Sequence, residues 1–104
     1  MRGLSVAFRH ERNLKVQFAV GVVTVLAGFY YSIAAIEWVA IITLVALVLC
    51  LEMINTAIEN LVNLVTLEQH PLAGKIKDIA AGAVLLASLV SVVVGIIIFW
   101  KYVS

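Results

Sequence analysis

Apolar residues run through this chain in long unbroken stretches. Val16 to Ala35 forms one, Trp38 to about Val65 a second, and Ile79 to Trp100 a third. Each reaches the roughly 20 residues needed to cross a hydrocarbon core about 30 Å thick. In lipid every backbone polar group needs an internal partner, so such stretches must be helices. The pattern predicts three transmembrane helices at about 16–35, 38–65 and 79–100. Ahead of them, "MRGLSVAFRHERNLK" mixes Leu4, Val6, Ala7 and Phe8 with Arg2, Arg9, Arg12 and Lys15. That mixture predicts an amphipathic helix on the membrane surface over about residues 1–14. Pro71 and Gly74 break the chain between the second and third spans. The chain reads as one all-α integral membrane domain over residues 1–104.

Composition strengthens this picture. The chain is 64% hydrophobic and 12% charged, whereas soluble domains run nearer half and a quarter. The net charge of +1 gives no reason to expect nucleic acid as a partner. Cys50 has no second cysteine to pair with and no metal-binding spacing around it, so it is expected to be a small buried packing residue. No cleavable signal peptide is expected after the basic start.

Charge placement sets the orientation. The connection "YYSIAAIEW" has no lysine or arginine, while "TLEQHPLAGKIK" carries Lys75 and Lys77. The positive-inside rule puts the N-terminus and the second connection in the cytoplasm, and the C-terminus outside. Tyr30, Tyr31, Trp38, Trp100 and Tyr102 then share the outer interface as an aromatic belt. Glu37, also outside, reads as a helix-start charge favoured by the macrodipole.

Polar residues inside the second span are the feature that apolar composition does not explain. In "CLEMINTAIENLVN", Glu52, Asn55, Glu59 and Asn63 fall on one helix face, with Thr56 at its border. At 1.5 Å per residue, Glu52 lies about 21 Å and Glu59 about 31 Å beyond Trp38. Glu52 is therefore just inside the hydrocarbon and Glu59 at the cytoplasmic headgroups. Glu11, Lys75, Lys77 and Asp78 are expected at that same level. Glu59, Lys77 and Asp78 taken singly also suit ordinary interfacial charges. An ionisable group in the bilayer costs at least about 2.5 kcal/mol and is a functional candidate by default, which singles out Glu52.

Carboxylates here can hold Mg²⁺, which prefers oxygen ligands. A lysine can meet a phosphate, and a carboxylate set apart from bulk water can serve as a general base. Together these groups suggest phosphoryl transfer to a lipid hydroxyl. The chain has no Walker A loop, no kinase glycine loop and no HRD-type catalytic loop. Helix faces would have to bind the nucleotide.

"LEMINTAIENLVNLV" followed by "HPLAGKIKDIAAGAVLL", with "ERN" at Glu11 to Asn13, resembles the prokaryotic diacylglycerol kinase family, which includes the undecaprenol kinases of Gram-positive bacteria. The likeness spans nearly the whole chain. It implies a homotrimer of three-span subunits, each with an N-terminal surface helix, in the bacterial cell membrane. Neighbouring subunits would share active sites.

The resemblance also assigns roles. It implies that Glu52 is the catalytic base and that Asn55 orients it or the substrate. Glu11 and Glu59 are the implied metal carboxylates. Glu11, Glu59, Lys77 and Asp78 form the implied nucleotide site, and Gly82 allows close approach. Two positions depart from the family. Asn63 stands where aspartate is common, and Gln17 where the Gram-negative diacylglycerol kinases carry glutamate. The second change and the "ERN" form are closer to the undecaprenol kinase branch.

The expected reaction is transfer of the γ-phosphoryl of Mg-ATP to a membrane lipid alcohol, with undecaprenol ahead of diacylglycerol. A small proton-coupled transporter is the main alternative of another class, and a proteolipid-like assembly unit a third. Neither accounts for carboxylates and lysines gathered at one interface. The polar stripe further suggests that one subunit cannot enclose it and that neighbours must cover it. Small residues Gly21, Thr24 and Gly28, and Ser88, Ser91 and Gly95, would permit close helix packing, within a subunit or between subunits.

Overall fold

The computed structural model describes residues 12–66 and 70–104. They form three helices: α1 (Arg12–Tyr31), α2 (Ala35–Val65) and α3 (Pro71–Val103). All three are long and apolar enough to cross a membrane. Of the expected surface helix, residues 1–11 lie outside the described residues, while Arg12, Asn13 and Leu14 belong to the first turn of α1.

The helices are unequal, and the inequality positions the site. The 20 residues of α1 span about 30 Å, while the 31 of α2 and 33 of α3 reach about 46 and 50 Å. With Trp38 at one interface, the surplus of α2 falls at the Glu59–Val65 end. The third helix begins at Pro71, well before its apolar run. Lys75, Lys77 and Asp78 therefore sit on its first turns, although the sequence pattern reads both lysines as connection.

Local chemistry explains each end. The first helix closes on a Schellman motif, with Ile33 N–H donating to Gly28 O and Ser32 N–H to Phe29 O. Ser32 occupies the left-handed position at φ 52°. Gly28 is required there, because a Cβ would lie 2.7 Å from the Trp38 ring and 3.2 Å from Ile33 Cδ1. Gly21 likewise admits Val45, which would approach a Cβ to 2.8 Å. At the start of α3, His70 Nδ1 accepts the Leu72 N–H at 3.2 Å, and Pro71 follows at the first helical position, where its missing N–H costs nothing.

The second helix is the middle element, packed against both others. Its neighbour α3 runs antiparallel to it. Tyr102 meets Glu37 at one end and Lys77 meets Asn63 at the other. This register puts Glu52 level with Ala87 and Ser88, two small residues. The apolar core sits at the α1–α2 end, where Ile33, Ile41 and Ile98 pack with Tyr31, Trp38, Phe99 and Tyr102. Ring pairs Phe29–Trp38 (centroids 4.8 Å) and Tyr31–Tyr102 (5.9 Å) gather the aromatic residues expected to share an interface.

Most large apolar side chains face outward. In lipid that is the stable arrangement, since tails are as apolar as leucine. Cys50 is exposed, contrary to the expectation of burial. It lies about 200° around α2 from Glu52, on the outward face.

Candidate active site

Helical periodicity gathers Glu52, Asn55, Glu59 and Asn63 on α2, and the register brings Lys77 on α3 to the far end of that line. Glu52 is buried at 4% exposure and Asn55 at 8%. The expectation that neighbouring subunits must cover the stripe is therefore corrected for its deep half, which one chain covers by itself. The outer half stays open: Glu59 is half-buried and Asn63 exposed.

The hydrogen bonds are ordered along the stripe. Thr56 donates its hydroxyl to the Glu52 carbonyl at 3.1 Å, which keeps that polar group inside its own helix. Asn55 Nδ2 donates to Glu59 Oε1 at 3.1 Å. A carboxylate only accepts, so the amide nitrogen must face it and the amide oxygen must turn away. That oxygen, Asn55 Oδ1, is buried with no hydrogen-bond partner among the described residues. One turn further, Lys77 Nζ donates to Asn63 Oδ1 at 2.6 Å, joining α3 to α2.

Asp78 is exposed beside Lys77. No side chain of the described residues forms an ion pair with Glu59, Lys77 or Asp78; the one such pair, Lys101 with Glu37, is at the opposite end. Glu11 lies outside the described residues. Gln17 lines a groove between α1 and α3 well away from Asn63 in the stripe. Among the described residues nothing lies within 4 Å of a Cβ built at Gly82, which leaves room there for close approach.

The donor set suits Mg²⁺ in kind. Glu59 offers a half-exposed carboxylate, and Asn55 Oδ1 is a buried oxygen without a donor among the described residues. Mg²⁺ is commonly held by one or two carboxylates plus phosphate oxygens, not by a full protein cage. In number the set is sparse, since no three His, Cys, Asp or Glu residues gather among the described residues.

Two apolar grooves lie along the helices, and no residue of the stripe lines either. One, of about 500 Å³, lies between the end of α2 and the start of α3 and is lined by Ile58, Leu61, Val65, His70, Leu72 and Ile76. The other, of about 470 Å³, runs between α1 and α3 past Gly21, Thr24, Ser88, Ser91 and Gly95. Gly21 and Gly28 of α1 also pack against Val45 and Trp38 of α2, while among the described residues nothing lies within 4 Å of a Cβ built at Gly95 on α3.

Sequence reasoning missed the cap made by His70, the Asn63–Lys77 contact and the cluster around Glu37. His-Pro at a helix start carried a signal for the first. The other two join residues far apart in sequence, and no local pattern announces them.

Comparison with known proteins places this geometry. The chain is 40% identical to the undecaprenol kinase of Bacillus subtilis (strain 168) over 98 residues, covering 94% of this chain and 80% of that protein. It is 32% identical over 101 residues to the diacylglycerol kinase of Escherichia coli (strain K12), covering 97% and 83%. It is 43% identical over 95 residues to a diacylglycerol kinase of Synechocystis, covering 89% of this chain but 54% of that longer protein. The family model for prokaryotic diacylglycerol kinase matches residues 1–99. A buried carboxylate leading to a half-open one, on three membrane-length helices, is thus set in a matched sequence frame, and the chain belongs to the prokaryotic diacylglycerol kinase family.

Proposed function

We propose that this lipid kinase transfers the γ-phosphoryl group of ATP to the terminal hydroxyl of undecaprenol at the cytoplasmic face of a bacterial cell membrane. The observation that carries the reading is Glu52, 4% exposed where the long apolar run of α2 ends, and one end of a polar line running to Glu59 and Lys77. Placement at the hydrocarbon edge lets an oily alcohol present its oxygen from the lipid side while phosphates arrive from water.

Each residue then has a defined task. The Glu52 carboxylate accepts the hydroxyl proton as the lipid oxygen bonds to the γ-phosphorus and ADP leaves. Asn55 holds Glu59 in place through its amide nitrogen and keeps its oxygen directed into the site. Glu59, joined by Glu11, would hold Mg²⁺, which when bound neutralises charge on phosphate oxygens. Lys77 adds a fixed positive charge to the phosphates and Asp78 supports it. Holding both substrates at one interface supplies much of the rate, because most of the barrier is positional.

A homotrimer completes the reading. The open half of the stripe, Glu59, Asn63 and Lys77, would face a neighbouring subunit that shares the site. The N-terminus and the α2–α3 connection lie in the cytoplasm and the C-terminus outside, as the lysine asymmetry indicates.

Undecaprenol leads because a 40%-identical relative bears that specificity in its name. Diacylglycerol is the second reading, because other relatives carry that name. Purified protein given labelled ATP and the two lipids in parallel separates them. Undecaprenyl phosphate is the expected dominant product; dominant phosphatidic acid would reverse the order, and no labelled lipid from either would end the kinase reading.

A further inference from the structure

The stripe on α2 alternates charged and amide side chains: Glu52, Asn55, Glu59, Asn63. Each amide pins one ionic group by a different pole. Asn55 uses its nitrogen on the Glu59 carboxylate at 3.1 Å, and Asn63 uses its oxygen on the Lys77 ammonium at 2.6 Å. Glu59 and Asn63 are one turn apart, yet Glu59 and Lys77 form no ion pair with each other. Two opposite charges are thus kept near each other and unneutralised.

We propose that Asn63 is the positioning residue for Lys77, a neutral acceptor that fixes the ammonium without cancelling its charge. The inference rests on the kinase reading above and extends it to a residue to which neither the family resemblance nor the comparisons give a role. Lysine is a compact point charge on a flexible four-carbon stem, so an unheld Lys77 would spread over many rotamers. One of its three N–H donors goes to Asn63, and two remain for phosphate oxygens. An aspartate at position 63 would also hold the ammonium, but as an ion pair it would compete with an anionic ligand. Because Asn63 is on α2 and Lys77 on α3, the same contact sets the gap between the helix carrying Glu52 and the one facing the phosphates.

Two variants, Asn63→Ala and Asn63→Asp, separate position from charge. Competitive acetylation of Lys77 in detergent, with exposed Lys75 as internal reference, reads the contact without any turnover. Equilibrium binding of β,γ-methylene-ATP reads the charge, and steady-state kinetics divide kcat from KM. Asn63→Ala should raise Lys77 labelling about threefold and lower kcat several-fold, as positioning is lost. Asn63→Asp should lower Lys77 labelling below wild type and weaken nucleotide binding about tenfold, the size of one compensated charge contact, while kcat at saturation recovers. Unchanged labelling in Asn63→Ala overturns the contact. Wild-type nucleotide affinity in Asn63→Asp overturns the need for neutrality. If the wild-type protein bound no nucleotide and labelled no lipid, the kinase reading itself would fall, and the inference with it.

Discussion

The two ends of the helical bundle treat charge in opposite ways. At the α1–α2 end Glu37 is buried and fully engaged. Its Oε2 meets Lys101 Nζ at 2.6 Å, while its Oε1 accepts from the Tyr102 hydroxyl at 2.6 Å and from the Ala34 N–H at 2.9 Å. Lys101 also lies 5.1 Å from the Tyr102 ring centre. At the α2–α3 end, among the described residues, Glu59 and Lys77 each hold one amide and Asn55 Oδ1 has no partner. The first cluster joins the start of α2 to the end of α3 and occupies both oxygens of its buried carboxylate. The second, among the described residues, leaves the Asn55 oxygen unpartnered and Glu59 and Lys77 outside any ion pair. Polar groups can thus brace a fold or prepare a reaction, depending on how far their hydrogen-bonding capacity is taken up.

Substitutions at the two ends should therefore separate turnover from stability. The largest effect is expected from Glu52→Gln, which keeps volume but removes basicity. Turnover should fall by roughly 10²–10⁴, the range of lost general-base catalysis, with the unfolding midpoint in micelles unchanged; near-normal turnover would end the base assignment. Glu37→Gln is the converse. It should lower the unfolding midpoint by several degrees while kcat per folded molecule holds, and an unmoved midpoint would show that the closed cluster contributes nothing. The smallest effect is expected at Ser32→Gly in the turn beside that cluster. Relief of the left-handed backbone should raise stability by about 0.5 kcal/mol. A loss of stability in the same unfolding assay would mean that the serine side chain, not the backbone, matters at position 32.

What the sequence could reveal follows from the same physics. Long apolar runs imply helices because lipid offers no alternative, and the spacing of Glu52, Asn55 and Glu59 is enough by itself to put them on one face. Burial is a different matter. In water an apolar residue is driven inward, but in lipid both faces of a helix are apolar, so the character of Cys50 does not say which way it points. Glu37 is legible as a helix-start charge from its place three residues after Ala34. Its engagement with Lys101 and Tyr102 is not, because those partners lie at the far end of the chain. The Asn63–Lys77 contact is hidden for a similar reason: it depends on the register between α2 and α3, which helical periodicity within either element leaves free.

The short α1 beside the longer α2 and α3 has a consequence for the host membrane. A hull rides at a depth set by its load, and this protein rides at a depth set by its aromatic waterline around Trp38. A thicker bilayer would draw Glu59 down among the tails, and a thinner one would strand Glu52 in water. On the proposed reading, either change would move Glu52 relative to the lipid alcohol and make bilayer thickness a control on the rate.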